Sequence, residues 1–456
     1  MSQFSAVDEY LKHNLDQSIA ELSRLVAQPS VAAQNWGISK CAELVAGMLS
    51  KRGFNVEIIT TGGSPVVFAE RSAGIKEDSK TLLFYNHYDV QPPEPLELWE
   101  SPPFEPQIRG NKLFGRGVSD DKGHITSRLY AIDALLETQG DLPCNVKFVI
   151  EGEEETSSQH LADFVEGNVS KLEADACIWE FGGVDHRDVP LQYLGLRGIC
   201  YVELSIETAG IDVHSGLGGS IFPNAAWRLV WALNSLKDEN ENILLPGFYD
   251  DIIPYTKRDR ELFAALPDVA EEYKQRYGIS GFIKGLKGGI DLRVAEVFDP
   301  SCTICGLSSG YQGKGPKTVL PAEAKAKIDF RLVPGQTPQK VLTALREHLD
   351  NQGFADVNIE YLGGESPSKT DPDDPFVELV VQSAETVYAQ RMQVVPMVGG
   401  SGPGHVFEKT LKVPIATAGI GHPGSQAHAP NENIRLDLYL KGAQHIARIL
   451  TNFGTT

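Results

Sequence analysis

Apolar residues recur at helical spacing from Val7 through Leu11, Leu15, Ile19 and Leu22 to Val26, with charges between them. This predicts one opening helix, ended by Pro29. Short apolar runs then alternate with helical stretches. Val66–Ala69, Thr81–Tyr85, Asn145–Glu151, Ala176–Glu180 and Val413–Ala418 read as strands, and their continuous apolar character suits strands covered on both faces. Helices are expected near residues 40–52, 122–137, 159–170 and 375–388.

The pattern changes between residues 198 and 372. Strand (Ile199–Ile206), helix (Ala225–Leu236), a long insertion, strand (Cys302–Leu307), strand (Ala322–Leu332), helix (Pro338–Gln352) and strand (Val357–Tyr361) follow one another. That βαββαβ order is ferredoxin-like. Before Arg331 the alternation is clean: Ala324, Ala326, Ile328 and Phe330 take one face, and Lys325, Lys327, Asp329 and Arg331 the other. The expected architecture is an α/β domain of residues 1–197 and 373–456, interrupted by a smaller α+β domain of residues 198–372.

Composition narrows the function classes. A chain of 456 residues exceeds what one hydrophobic core usually serves. With 41 Lys+Arg against 61 Asp+Glu, its formal charge of −20 argues against nucleic-acid or anionic-membrane partners. No apolar run reaches membrane-spanning length, and the first twenty or so residues lack an apolar signal core. A cytoplasmic location is the expectation, and six sparse cysteines suit a reducing compartment. Cys302 and Cys305 lie three apart in a predicted strand and so face opposite ways, which argues against a metal half-site.

The candidate chemistry sits in separated segments, each at a strand end or loop. They are His87-Tyr88-Asp89, the Gly-rich Gly115–Gly123 with Asp120, Glu151–Glu155, Trp179-Glu180, and His422–His428. In an open α/β sheet such segments converge outside the carboxyl ends of the strands. Asp89, Asp120, Glu154, Glu155 and Glu180 could not share a partly buried cleft as bare anions. Two divalent cations with two imidazoles would compensate them. Nitrogen and carboxylate donors without thiolate suit Zn²⁺, with Mn²⁺ or Co²⁺ as alternatives.

These segments resemble the M20 family of metallopeptidases over nearly the whole chain, with closest similarity to its carnosinase-like dipeptidase branch. The resemblance rests on His87-x-Asp89 and Gly115-Arg116-Gly117-x-x-Asp120-x-Lys122-Gly123. It rests further on Trp99 with Pro103-Phe104, Pro246–Asp251, Lys317–Pro321 and Arg331–Pro334. It implies that His87, Asp120, Glu155, Glu180 and His428 are metal ligands. Asp120 would bridge, Glu155 would complete the set of His87, and a cis peptide would follow Asp120. Glu154 would be the general base, and Asp89 would orient His87. Water held between the two cations would lose a proton to Glu154 and attack an amide carbonyl. His214 with Thr318 would stabilise the oxyanion; in dimeric members that histidine comes from the partner subunit. Arg331 would grip the substrate carboxylate, with Gly400 and Ser401 lining the same pocket. A homodimer through the inserted domain is implied as well. His428 is preferred to His422 because Ala427–Glu432 matches the family motif. Glu153 reads as a neighbour of the acidic pair, and His124 as a surface residue.

At the third acidic position this chain has Glu180, as carboxypeptidases and aminoacylases of the family tend to, where its dipeptidases tend to have Asp. The rest of the chain resembles the dipeptidase branch, so hydrolysis of dipeptides or short peptides leads. Release of a C-terminal residue or hydrolysis of N-acyl amino acids is the alternative. A non-catalytic metal- or peptide-binding protein is disfavoured because Glu154 is present. A two-metal phosphatase or nuclease is disfavoured because only Arg116 and Lys122 in the Gly-rich loop could meet phosphate.

Overall fold

The computed structural model describes residues 4–74 and 79–455. Its contacts form two compact units. One takes the chain up to Leu194, Lys369–Pro396 and Val406 onward; the other takes Gly195–Ser368 with Met397–His405. The last stretch is one that the sequence reading leaves with the larger domain.

The principal elements of the first unit begin with α1 (Ser5–His13), α2 (Leu15–Val26), α3 (Ile38–Ser50), β1 (Asn55–Ile59), β2 (Val66–Arg71) and β3 (Thr81–His87). α4 (Lys122–Gln139), β4 (Asn145–Glu151) and β5 (Ala176–Trp179) follow. The second unit is built on β6 (Gly198–Glu207), α5 (Ala225–Leu236), β7 (Ser301–Ser309), β8 (Glu323–Leu332), α6 (Pro338–Asn351) and β9 (Asn358–Glu365). The first unit resumes with α7 (Pro375–Tyr388), β10 (Ile415–Thr417) and α8 (Leu436–Phe453). The single opening helix expected from periodicity is instead two. Asn14 leaves helical geometry, and its side-chain amide donates to the Tyr10 carbonyl at 2.9 Å. An asparagine side chain competes with the helical ladder in this way.

In the first unit the strand order is β1-β2-β4-β3-β5-β10. β3 runs parallel to β4 and β5, and β5 parallel to β10. Both faces are covered. Leu82 and Phe84 enter one apolar cluster with α3, α4 and α8, while Leu83 and Tyr85 enter another with Trp179 and Phe407. This is why these strands read as unbroken apolar runs. The parallel strands end together: His87 is the last residue of β3 and pairs with Glu151, the last of β4. Glu180 follows β5 directly.

The second unit has the order β7-β8-β6-β9, each neighbour antiparallel. This is the ferredoxin-like arrangement. On β8 Ala324, Ala326, Ile328 and Phe330 are buried beneath α5 and α6, whereas Lys325 and Lys327 are exposed and Arg331 is half-buried on the opposite face. β7 has a register shift between Ile304 and Gly306; Cys302 is buried and Cys305 exposed. No helix among the described residues is long and apolar enough to cross a membrane.

Candidate metal centre

The Gly-rich loop delivers Asp120 to the sheet edge. Gly117 holds φ +82°, and a side chain on Gly123 would meet the Val118 carbonyl at 2.1 Å, so both glycines are required by close backbone approach. The Asp120–Asp121 peptide is cis, as the resemblance implies. The loop closes around the fully buried Glu432. Its Oε1 accepts from the backbone N–H of Ser119 (2.8 Å) and Asp120 (3.0 Å). Its Oε2 accepts from Gly117 N–H and from Arg116 Nη1, each at 2.8 Å.

Asp120 is flanked by two imidazoles. His87 Nε2 lies 3.0 Å from Oδ1, and His428 Nε2 lies 3.0 Å from Oδ2. Beyond them stand further carboxylates: Glu180 Oε2 is 4.0 Å from His87 Nε2, and Glu155 Oε2 is 3.1 Å from His428 Nε2. Glu155, expected with His87, stands beside His428. The Glu155 carboxylate meets His428, and Gln91 Nε2 donates to the same oxygen at 2.8 Å. Asp120, Glu155 and His428 offer ligand atoms within 4.8 Å of one another.

These residues fit cations. His87 Nδ1 donates to the Asp89 carbonyl at 3.1 Å and Nε2 lies against Asp120; although burial opposes the charged ring, hydrogen bonds to Asp120 and Asp89 hold it well above the usual imidazole range. A cation taking the place of the Nε2 proton would meet the imidazole lone pair on one side and the Asp120 carboxylate on the other. Glu180 Oε2 is buried with no hydrogen-bond partner, a costly state unless an ion completes it. The field of the cluster runs the same way. Burial, reinforced by Asp120 and Glu155 against the pull of His87, pushes the Glu154 carboxyl up to about 8. Hydrogen bonds that His428 donates to Asp120 and Glu155 carry its pKa up to about 10.

Asp89 braces more than His87. Its Oδ1 is 3.4 Å from His87 Nδ1, and its carboxylate also accepts the backbone N–H of Glu154 (3.2 Å) and Glu155 (3.1 Å). It thus fixes the turn that carries both acids. Among the described residues no group hydrogen-bonds the Glu154 carboxylate, which leaves it free for water. Glu153 turns away to His160 Nδ1 (2.9 Å) and Ser64 N–H (3.1 Å). His428 sits in a loop at φ +62°, an unusual conformation for a non-glycine residue. His422 pairs with Asn433 at 3.2 Å instead.

His124 is not a surface residue: it is 4% exposed, accepts from Ile420 N–H at 3.1 Å, and lies 2.9 Å from Asp121 Oδ1. The reason is that α4 is enclosed almost all round over its first turns. Sequence reading also passed over Glu432, whose signal was present: an acid four residues after His428 in an otherwise neutral motif.

In the second unit His214 Nε2 is 3.3 Å from Thr318 Oγ1, brought there by the pairing of His214 with Val319. Arg331 Nη1 donates to Ser401 Oγ at 2.8 Å, and its Nε to Asp329 at 3.3 Å. The Gly400 carbonyl accepts from Arg197 N–H at 2.9 Å. The expected substrate residues thus form two groups there, His214 with Thr318 and Arg331 with Ser401.

Comparison with known proteins places this geometry. The pattern of peptidase family M20/M25/M40 matches residues 83–452. An M20 family metallo-carboxypeptidase from Sulfolobus solfataricus superposes with TM-score 0.90 at 36% identity, over 96% of this chain and 99% of that one. The Cys-Gly metallodipeptidase of Schizosaccharomyces pombe is 29% identical over 95% of both chains. Human carnosine dipeptidase 1 superposes with TM-score 0.80 at 25% identity, over 99% of this chain and 100% of that one. The α/β sheet edge, the acids gathered on it and these matches lead to one conclusion: the chain belongs to peptidase family M20/M25/M40 and is a metal-dependent peptidase.

Proposed function

We propose that the protein is a dipeptidase that uses two divalent cations, Zn²⁺ foremost and Mn²⁺ or Co²⁺ as alternatives. The observation that carries this reading is the single carboxylate of Asp120 set between two imidazoles, with Glu180 beside His87 and Glu155 beside His428. His87, Asp120 and Glu180 would hold one ion; Asp120, Glu155 and His428 the other. Bound there, the ions would supply Lewis acidity toward a water and the amide carbonyl. Glu154 would take a proton from the attacking water and deliver it to the leaving amine. Asp89 keeps the His87 ring and the Glu154 turn in register. Arg331, steadied by Ser401 and Asp329, binds the free carboxylate of the substrate as a fork, with Gly400 lining the same pocket. His214 and Thr318 donate to the oxyanion.

Release of a C-terminal residue from longer peptides is the second reading. Glu180 favours it, as does the metallo-carboxypeptidase relative at 36% identity. Both readings need a free carboxylate next to the scissile amide. A panel of free dipeptides, N-blocked dipeptides, longer peptides and N-acetyl amino acids, tested on Zn²⁺-loaded protein, separates them. A dipeptidase cleaves only substrates with a free amino terminus; turnover of N-blocked dipeptides replaces it with the carboxypeptidase reading. Cleavage of N-acetyl amino acids alone indicates an acylase, and no turnover on any class refutes the proposal.

A homodimer through the second unit belongs to the same proposal. Trp227, Val230 and Trp231 stand exposed on the outer face of α5, and Ile304 and Leu307 are exposed on the edge strand β7. Six free cysteines favour a reducing compartment such as the cytoplasm.

A further inference from the structure

α4 presents a row of polar side chains inward. Asp121, His124 and Arg128 are three and four residues apart, so they share one helical face, and all are at most 4% exposed. An arginine so placed must find acceptors. Arg128 Nη1 donates to the Tyr85 carbonyl at 2.8 Å and to Asn86 Oδ1; Nη2 donates to the Trp179 carbonyl and to the Glu180 carbonyl at 3.2 Å. These acceptors are the carboxyl ends of β3 and β5, where each strand delivers its candidate ligand, His87 or Glu180. Asn86 Nδ2 in turn donates to Asp121 Oδ2, which also accepts His87 N–H at 3.3 Å. Asp121 is joined through the backbone to Asp120. One guanidinium therefore reaches the mounts of His87 and Glu180 directly, and that of Asp120 through Asn86 and Asp121. It has no bond to the turn of Glu155 or the loop of His428.

We propose that Arg128 is a positioning residue that sets the spacing of His87 and Glu180, and so the affinity of the one ion those two would share. This rests on the two-ion reading above. Outer partners of ligand side chains typically account for about 10- to 100-fold in metal affinity. The rigid fork matters as well as the charge: a lysine places one ammonium where the guanidinium spans two strands.

The test titrates metal-stripped full-length protein with Zn²⁺ and follows the absorption of the Co²⁺-loaded form. Wild type should take up two ions, and fewer than two overturns the two-ion reading itself. Arg128→Lys should weaken one ion about 10- to 100-fold and the other, which shares only Asp120 with it, by much less. The weakened ion should be the one that His87→Ala removes and His428→Ala retains. Equal weakening of both ions, or of neither, overturns the proposal, because a purely structural arginine would lower the melting temperature without choosing between them. Asn86→Ala removes the side-chain link to Asp121 and one of the two acceptors of Arg128 Nη1, and spares the main-chain bonds of Arg128. It should show the same selectivity with a smaller shift, and it decides the question alone if Arg128→Lys fails to fold.

Discussion

Asp120 in the first unit and Arg331 in the second are both expected to touch substrate or its ions, and they are held in opposite ways. The Asp120 backbone is gripped by Glu432, its side chain stands between two histidines, and the neighbouring Asp121 is tied to Asn86. Arg331 is half-buried and rests on Ser401 and Asp329; His214 is exposed beside Thr318. Ion ligands must hold a fixed geometry against mutual repulsion, so their braces are buried and redundant. Groups that grip a substrate end need charge and reach, and a half-exposed arginine supplies both.

Four experiments put pressure on this contrast. Chelation, or Asp120→Ala, should have the largest effect, abolishing turnover and bound metal together; elemental analysis showing full metal occupancy in the variant would count against the shared carboxylate. Glu154→Gln comes next. It should keep its metal but lose about 10²–10⁴-fold in kcat, and near-normal turnover would end its assignment as base. Glu432→Ala strips a buried carboxylate from Arg116 and three backbone donors. It should cost about 3–5 kcal/mol in denaturant unfolding and lower metal affinity. Arg331→Ala should leave unfolding and metal content untouched and raise KM about tenfold for free-carboxylate substrates, a change worth about 1.4 kcal/mol. An equal rise for amidated substrates would remove its carboxylate role, and a fall in stability would erase the contrast between the units.

Much of this was readable from the chain because period and chemistry coincide. The apolar runs of β3, β4 and β5 each lead into an ionisable residue at or just past the strand end, so strand prediction also pointed to His87, Glu151 and Glu180. The alternation of β8 gave the face of Arg331. What escaped reading depends on three-dimensional enclosure. A helix buried all round has no polar stripe to mark its orientation, so His124 looked like ordinary helical surface and Arg128 drew no reading at all. The break at Asn14 was hidden because the apolar spacing continues through Leu15. The meeting of Glu155 with His428, more than 270 positions away, follows from the turn that Asp89 caps, and no local pattern encodes it.

Glu432 carries a consequence for biosynthesis. Translation supplies Asp120 and its loop early, but the carboxylate that organises that loop lies 316 residues downstream of Arg116. A growing chain thus exposes His87, Asp120 and the Glu154 turn long before the clasp exists. Cation capture should therefore wait until Glu432 has left the ribosome and closed on the loop, which keeps a half-made hydrolase inert beside other nascent chains.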